Sequence, residues 1–264
     1  QHFSTYNRVK NTSQDKKWPL LYAFARIIRD VLPELVTMEN VPDVTKHKVY
    51  LDFIETLSQQ GYHLWTGNVL CADYGLPQMR RRHVLLASRI GHIKLLPPTH
   101  NGRYQTVRDA IGHLPPIRAG ETCINDSLHR SAKLSDLNLR RIRASKPGGT
   151  WADWPESLQA ECHIRESGRT YKWVYSRMEW DKPAPTMTTQ CYGFGNGRFG
   201  HPEQDRAISL REAAIFQGFP EDYTFSPDNK FFRNTVARMI GNAVPVGLGT
   251  IIGKSFQVSI VAKG

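Results

Sequence analysis

The chain has 264 residues, long enough for one large domain or two modest ones with most of the surface buried. Thirty-five Lys and Arg against 24 Asp and Glu leave a formal charge of +11, which suits a polyanionic partner, nucleic acid before anionic membrane. No apolar run approaches the length of a membrane span, and nothing at the N-terminus reads as a signal peptide. Cys71, Cys123, Cys162 and Cys191 are scattered without a Cys-x-x-Cys pair, which speaks against a zinc site or disulfide framework and for a reducing cytosol.

In chain order, Gln1-His2-Phe3-Ser4 leads into a polar stretch, 7–17, that reads as a mobile loop. The chain starts without a Met, and its first residues read as the middle of a longer sequence. From Trp18 the period is helical, with Leu20, Leu21, Phe24, Ile27, Ile28 and Val31 on one stripe, and Pro33 ends the helix. Leu35 to Met38 reads as a short buried strand that delivers Glu39 and Asn40 to its C-terminal end. A helix from about Val44 to Gln60 follows, with Gly61 placed as its stop, and then strands at Tyr62 to Leu70 and His83 to Ser88. Helix, strand, helix, strand with short links predicts an open, mostly parallel α/β sheet.

The stretch Tyr74-Gly75-Leu76-Pro77-Gln78-Met79-Arg80-Arg81-Arg82 runs straight into the last of these strands. Gly75 and Pro77 mark a turn, so three arginines stand where a loop enters a buried strand, a common position for working groups. A solvated basic turn is the plain alternative. Met38-Glu39-Asn40-Val41-Pro42 ends a second apolar run in the same manner, and two such strand ends on one sheet can face one ligand.

The texture changes after Arg89, where prolines and glycines leave only short periodic pieces. Thr106 to His113 predicts a helical turn or two. Leu134 to Ser145 predicts a better helix, carrying Arg140, Arg141 and Arg143 and followed by a Gly148-Gly149 loop. This suits a nucleic-acid surface and an ordinary solvated helix about equally. The glycine-rich run Tyr192 to Gly200 matches neither dinucleotide nor P-loop spacing and reads as a close-approach loop. Ser209-Leu210-Arg211-Glu212 is a capping box opening a helix through Phe216, and Met239 to Val246 leads into an apolar helix from about Gly247 to Phe256.

Five motifs in order resemble the DNA (cytosine-5)-methyltransferases of the bacterial and phage restriction-modification type. Gln1-His2-Phe3-Ser4 is similar to the end of the Pro-Cys-Gln-x-Phe-Ser motif. Glu39-Asn40-Val41 matches Glu-Asn-Val, and Gln78-x-Arg80-x-Arg82 matches Gln-x-Arg-x-Arg. Arg211-Glu212-Ala213-Ala214 with Gln217-Gly218-Phe219-Pro220, and Gly241-Asn242-Ala243-Val244-Pro245, resemble the last two motifs. The resemblance spans nearly the whole chain.

It implies an α/β, Rossmann-like, S-adenosylmethionine-dependent sheet, here only its C-terminal part, plus a smaller target-recognition domain. The expected divisions are 1–91 for the second half of the catalytic domain, 92–205 for target recognition, 206–238 for the penultimate motif, and 239–264 for the last motif and its helix. The implied reaction moves a methyl group from S-adenosylmethionine to cytosine C5 in a specific double-stranded DNA sequence, with the base flipped out of the helix. Glu39 would hold N3 and the exocyclic amine, Arg82 would reach O2, and Arg80 would brace the site or touch phosphate. Asn242, Ala243 and Val244 would touch the cofactor. Gln1, Ser4, Arg140, Arg141, Arg143 and Thr186 would meet DNA, with no metal and no membrane involved, in a bacterial cytoplasm.

The family's glycine-rich cofactor loop and its nucleophilic cysteine, expected just before Gln1, are not in the sequence. The chain alone is therefore expected to be poorly soluble, to bind the cofactor weakly and to transfer no methyl group, with a missing N-terminal segment as its partner. Two other readings are a non-catalytic DNA-binding half of a split enzyme and a tRNA cytosine-5 methyltransferase; the Cys-Phe-Thr tripeptide of the tRNA branch is absent.

Overall fold

In the computed structural model the described residues are 18–165, 172–226 and 232–261, so expectations for Gln1 to Lys17 lie outside them. In chain order the elements are α1 (Trp18–Val31), β1 (Leu35–Asn40), α2 (Lys48–Gln59), β2 (His63–Leu70), β3 (Arg81–Ser88), α3 (Val107–Ile111), the short β4 (Thr122–Cys123) and β5 (Asp126–Arg130), α4 (Asp136–Ala144), α5 (Glu161–Ile164), α6 (Leu210–Phe216), α7 (Arg233–Asn242) and α8 (Val246–Val261). They form two compact units. The first holds the described residues up to Tyr74, then Arg81–Thr99 and the chain from Gly247; the second holds Gly75–Arg80 and His100–Val246. The chain thus passes from the first unit to the second and back within the six residues Gly75–Arg80.

The first unit is a three-stranded sheet with α1 and α2 on one face. Its strand order is β1-β3-β2, and both pairings are antiparallel. The expected mostly parallel pairing is corrected here. The α2 crossover does make β1 and β2 run the same way, but β3 enters between them in the opposite direction. A helical period announces the crossover and carries no sign of a later strand inserted beside it. Val36, Leu85 and Ala87 pack with Ala25, Ile28, Tyr50, Phe53 and Leu57 in one core.

On α1, Ala25 and Ile28 are buried and Leu21 and Phe24 pack beside them, the i, i+3, i+4, i+7 set of a core-facing stripe. Leu20, Ile27 and Val31 lie on the flank of that stripe and stay exposed, so the six expected positions do not form one buried face. α1 closes on Leu32 in a left-handed conformation (φ 48°), with its N–H donating to the Ile28 carbonyl at 2.8 Å. α2 stops at Gly61 (φ 80°), where the Tyr62 N–H returns to the Leu57 carbonyl, the glycine-closed end expected from the sequence.

The second unit has a core of α3, α6 and α7 with Met178, Met187 and Phe199, and a satellite cluster of Trp151, Trp154 and Phe194 under α4. The predicted capping box opens α6: Ser209 Oγ accepts from the Glu212 N–H, and Glu212 Oε2 accepts from the Ser209 N–H. Within the 28 residues Arg233–Ile260 one 18-residue window reaches a mean hydropathy of 1.3, enough by length and composition for a membrane span. The sequence reading missed it because Pro245 interrupts it. In the fold 39% of that window is buried, and the run divides into α7 and α8 around Ala243 to Pro245.

Glu212 is fully buried, and the Arg206 fork grips it at 2.8 and 2.7 Å. Burial alone would raise its pKa, but Arg206 and the Ser209 N–H outweigh it and hold the carboxyl down at about 2. His201 Nε2 lies 3.8 Å from Glu212, near enough for an ion pair, yet burial pushes its pKa down to about 3. Its Nδ1 accepts from the Glu203 and Gln204 N–H groups, which requires a neutral ring, so we read no ion pair there.

Arg206→Ala is expected to cost roughly 3–5 kcal/mol of unfolding free energy, because it strands a buried charge. Denaturant unfolding checks this, and a loss under about 1 kcal/mol would contradict it. Both groups have folded pKa values below their ordinary ones, so the unfolded chain binds more protons in acid. Their stability is present at neutral pH. It is lost as pH falls below about 6.5 for His201 and about 4.5 for Glu212, which thermal unfolding across pH 7 to 3 will show.

Candidate functional site

In the first unit the register brings the end of β1 to the start of β3. Glu39 stands opposite Val84, and Val69 opposite Arg82. Because side chains alternate along a strand, Glu39, Arg82 and Val84 share the face away from α1 and α2. Arg82 Nε lies 2.8 Å from Glu39 Oε1, with both side chains mostly withdrawn from water at 13% and 17% exposure. Arg82 Nη1 also donates to the Arg81 carbonyl at 2.7 Å. The geometry is that of an ion pair at short range. On the opposite face His83 is clasped between the Tyr50 hydroxyl at 2.7 Å and Asn68 Oδ1 at 3.1 Å, and burial pushes its pKa down. The strand carrying Arg82 is therefore fixed from behind.

In the second unit the Gly75–Arg80 loop is a buried tie. Gln78 Nε2 donates to the Phe216 carbonyl at 2.9 Å and to Gln217 Oε1 at 3.0 Å, while its Oε1 accepts from the Met187 N–H at 2.7 Å. Arg80 is 2% exposed; Nη1 donates to the Met187 carbonyl at 2.9 Å and Nη2 to the Gly241 carbonyl at 3.1 Å. Both contacts of Arg80 run to backbone carbonyls of other segments. Gln217 Nε2 in turn donates to the Ala243 carbonyl at 2.6 Å. Thr186 is half-buried, with its hydroxyl donating to the Met79 carbonyl at 3.2 Å. Asn242 and Val244 are exposed at the C-terminal end of α7, and Ala243 is half-buried. Gln78 and Gln217 carry this tie and were quoted within motifs without a role; their burial was not visible in the sequence.

The basic helix α4 divides into three different arginines. Arg140 is exposed. Arg143 is mostly exposed and pairs with Asp205 at 3.1 Å. Arg141 corrects the expectation of a surface contact: it is 8% exposed, its Nε donates to the Leu158 carbonyl, and its guanidinium lies over the rings of Trp154 and Tyr175. Rings from distant segments make that inward site, so a helical count within α4 could not show it. Gln1 and Ser4 lie outside the described residues. In the glycine-rich run, a methyl group on Gly195 would meet the Tyr175 ring at 2.8 Å, as a close-approach loop requires.

The chain belongs to the C-5 cytosine-specific DNA methylase family, whose model matches residues 1–258. It is 55% identical over 261 residues to the type II methylase M.HgiDII of Herpetosiphon aurantiacus, covering 97% of this chain and 73% of that protein. It is 30% identical to the type II methyltransferase M1.HphI of Haemophilus parahaemolyticus, covering 97% and 65%. Against DNA (cytosine-5)-methyltransferase 3 of Arabidopsis thaliana the identity is 29%, and the chain spans only 22% of that length. Among solved structures, an E. coli prophage-encoded protein described as a DNA modification methyltransferase shares the fold, with a TM-score of 0.65 at 19% identity over 93% of this chain and 75% of that one. Entamoeba histolytica EhMeth gives 0.56 at 16% identity, covering 93% and 74%. The α/β methyltransferase fold is therefore the one expected.

A side chain at Gly241 would come within 2.6 Å of the Thr188 carbonyl oxygen and closer still to the neighbouring backbone, whereas Gly249 on α8 faces open space. Gly241→Ala is expected to destabilise by roughly 1–3 kcal/mol through overpacking. Gly249→Ala is expected to be neutral or to stabilise by up to about 1 kcal/mol through helix propensity. Parallel denaturant unfolding checks the contrast; equal effects would show that Gly241 is not a close-approach position.

Proposed function

We propose that the whole protein transfers a methyl group from S-adenosylmethionine to C5 of cytosine in a specific double-stranded DNA sequence. The observation that carries this reading is the Glu39–Arg82 pair at the sheet end, an acid and a guanidinium held 2.8 Å apart on one face. Cytosine C5 is a poor nucleophile until a thiolate adds at C6, so that negative charge spreads into the ring toward N3 and O2. Glu39 holds N3 and accepts a hydrogen bond from the exocyclic amine. Arg82 donates to O2. Donors fixed before the charge appears lower the barrier most, and the clasped β3 strand fixes Arg82 in this way. Arg80 braces the neighbouring loop.

An exposed amide at Asn242, the half-buried Ala243 backbone and the exposed apolar Val244 fit a cofactor with polar and apolar parts, and these residues would hold S-adenosylmethionine. Bound there, the cofactor supplies an electrophilic methyl group. None of this chain's cysteines is assigned as the nucleophile. Cys71 and Cys191 are buried, and burial pushes the Cys191 thiol up to about 12, far from a thiolate at neutral pH. The thiolate is instead contributed by an N-terminal segment of the same enzyme. Residues 92–205 supply the sequence readout, with Arg140, Arg143 and Thr186 among the DNA contacts, together with Gln1 and Ser4. The reaction is cytoplasmic, in a bacterium or its phage.

Glu39→Ala and Arg82→Ala, made in the full-length protein, are each expected to slow single-turnover methyl transfer on the order of a hundredfold or more. DNA affinity should change far less. Near-normal rates at saturating DNA in both variants would refute the assignment.

A further inference from the structure

Most arginines inside the second unit have their acceptors: Arg141 on Leu158, Arg177 on the Ile142, Ser145, His201 and Gln204 carbonyls, Arg206 on Glu212, Arg211 on Asp126. Arg198 does not follow them. Its Nε is buried without a hydrogen-bond partner. The carboxylate that bears on it, Glu179, is held by Lys182 at 2.8 Å. Its guanidinium carbon lies 4.0 Å from the centre of the Trp173 ring, which is 51% exposed. Arg233 shares the unpartnered Nε, but its ring contact, with Tyr192, is looser at 6.0 Å. Burial depresses the pKa of Arg198, yet a guanidinium stays charged at neutral pH. The result is a cation on an aromatic platform whose nearby carboxylate, Glu179, is shared with Lys182.

The backbone on both sides holds it still. Gly195 lies against the Tyr175 ring and Gly197 against the Phe199 ring, so the preceding loop cannot carry side chains there. Phe199 is buried and its carbonyl accepts from the Ile208 N–H at 2.8 Å; the Gly200 N–H donates to Ser176 at 2.9 Å. A guanidinium held over a ring keeps its paired N–H groups near one direction. Such a fork suits a phosphate or the paired O6 and N7 acceptors of guanine, and the place of Arg198 within 92–205, the region taken to read the sequence, favours the base.

We propose that Arg198, held on Trp173, is a specificity-determining residue that reads a guanine in the target DNA sequence. This rests on the DNA methyltransferase reading above and deepens it. Trp173 is the positioning residue.

The test begins with the full-length protein and bisulfite mapping of the site it methylates. Binding is then measured to that duplex and to a scrambled one for wild type, R198A, W173A and W173F. R198A is expected to lose roughly 5- to 150-fold on the mapped site and little on the scrambled duplex. Replacing one guanine of the site by 7-deazaguanine should weaken wild type substantially and R198A no further. That arm on wild type needs no variant to fold. W173F should keep most of the discrimination that W173A loses. Equal weakening on both duplexes, with the salt slope reduced by about one, would make Arg198 a phosphate contact and overturn the proposal. So would an unchanged R198A together with no wild-type response to 7-deazaguanine at any guanine. A wild-type protein that methylates no cytosine overturns the enzymatic reading itself, and the proposal with it.

Discussion

The peptide unit on either side of Met187 is gripped at both ends: Gln78 accepts its N–H and Arg80 donates to its carbonyl, both from within the loop Gly75–Arg80. The ends of α6 and α7 are tied to these two side chains as well. Gln78 reaches on to the end of α6 through Phe216 and Gln217, Arg80 to the end of α7 through Gly241, and Gln217 closes the circuit on Ala243. Three stretches far apart in the sequence are thereby held by a few buried hydrogen bonds. Such a network is stable only when complete, since each buried carbonyl left without a donor costs on the order of 1–3 kcal/mol.

This arrangement separates the two arginines of the Gln-x-Arg-x-Arg motif. Arg80 belongs to the second unit and is spent on backbone carbonyls; Arg82, two residues on, belongs to the β3 strand of the first and faces Glu39. The chain crosses between the units in that short interval. A guanidinium suits both positions for different reasons: its fork satisfies two carbonyls at Arg80, and its permanent charge meets a carboxylate at Arg82. His83 continues the alternation onto the other face, where Tyr50 and Asn68 hold it.

Much of this could be read from the sequence wherever local chemistry decides. The Ser209–Glu212 capping box, the Gly61 stop and the strand ends at Glu39 and Arg82 all stand where the residues place them. Strand direction could not be read, because β3 enters between β1 and β2 by a tertiary choice. Arg141 looked like its neighbours Arg140 and Arg143 because Trp154 and Tyr175, which receive it, come from other segments. The exposed flank of α1 failed for a related reason: Leu20, Ile27 and Val31 satisfy the helical period, and only packing decides which apolar flank is covered. The compact units are built from segments far apart in the chain, Gly75–Arg80 with His100–Val246 in one of them, a grouping made by long-range ties that no local pattern displays.

The central claim is that Gln78 and Arg80 act together on the backbone of one residue, Met187. A double-mutant cycle tests it most directly, with Gln78→Leu, Arg80→Met and the pair compared by denaturant unfolding. The account predicts that each single change costs about 1–3 kcal/mol and that the pair costs less than their sum, with a coupling of roughly 1 kcal/mol or more. Strict additivity, or single variants within about 0.5 kcal/mol of wild type, would contradict it.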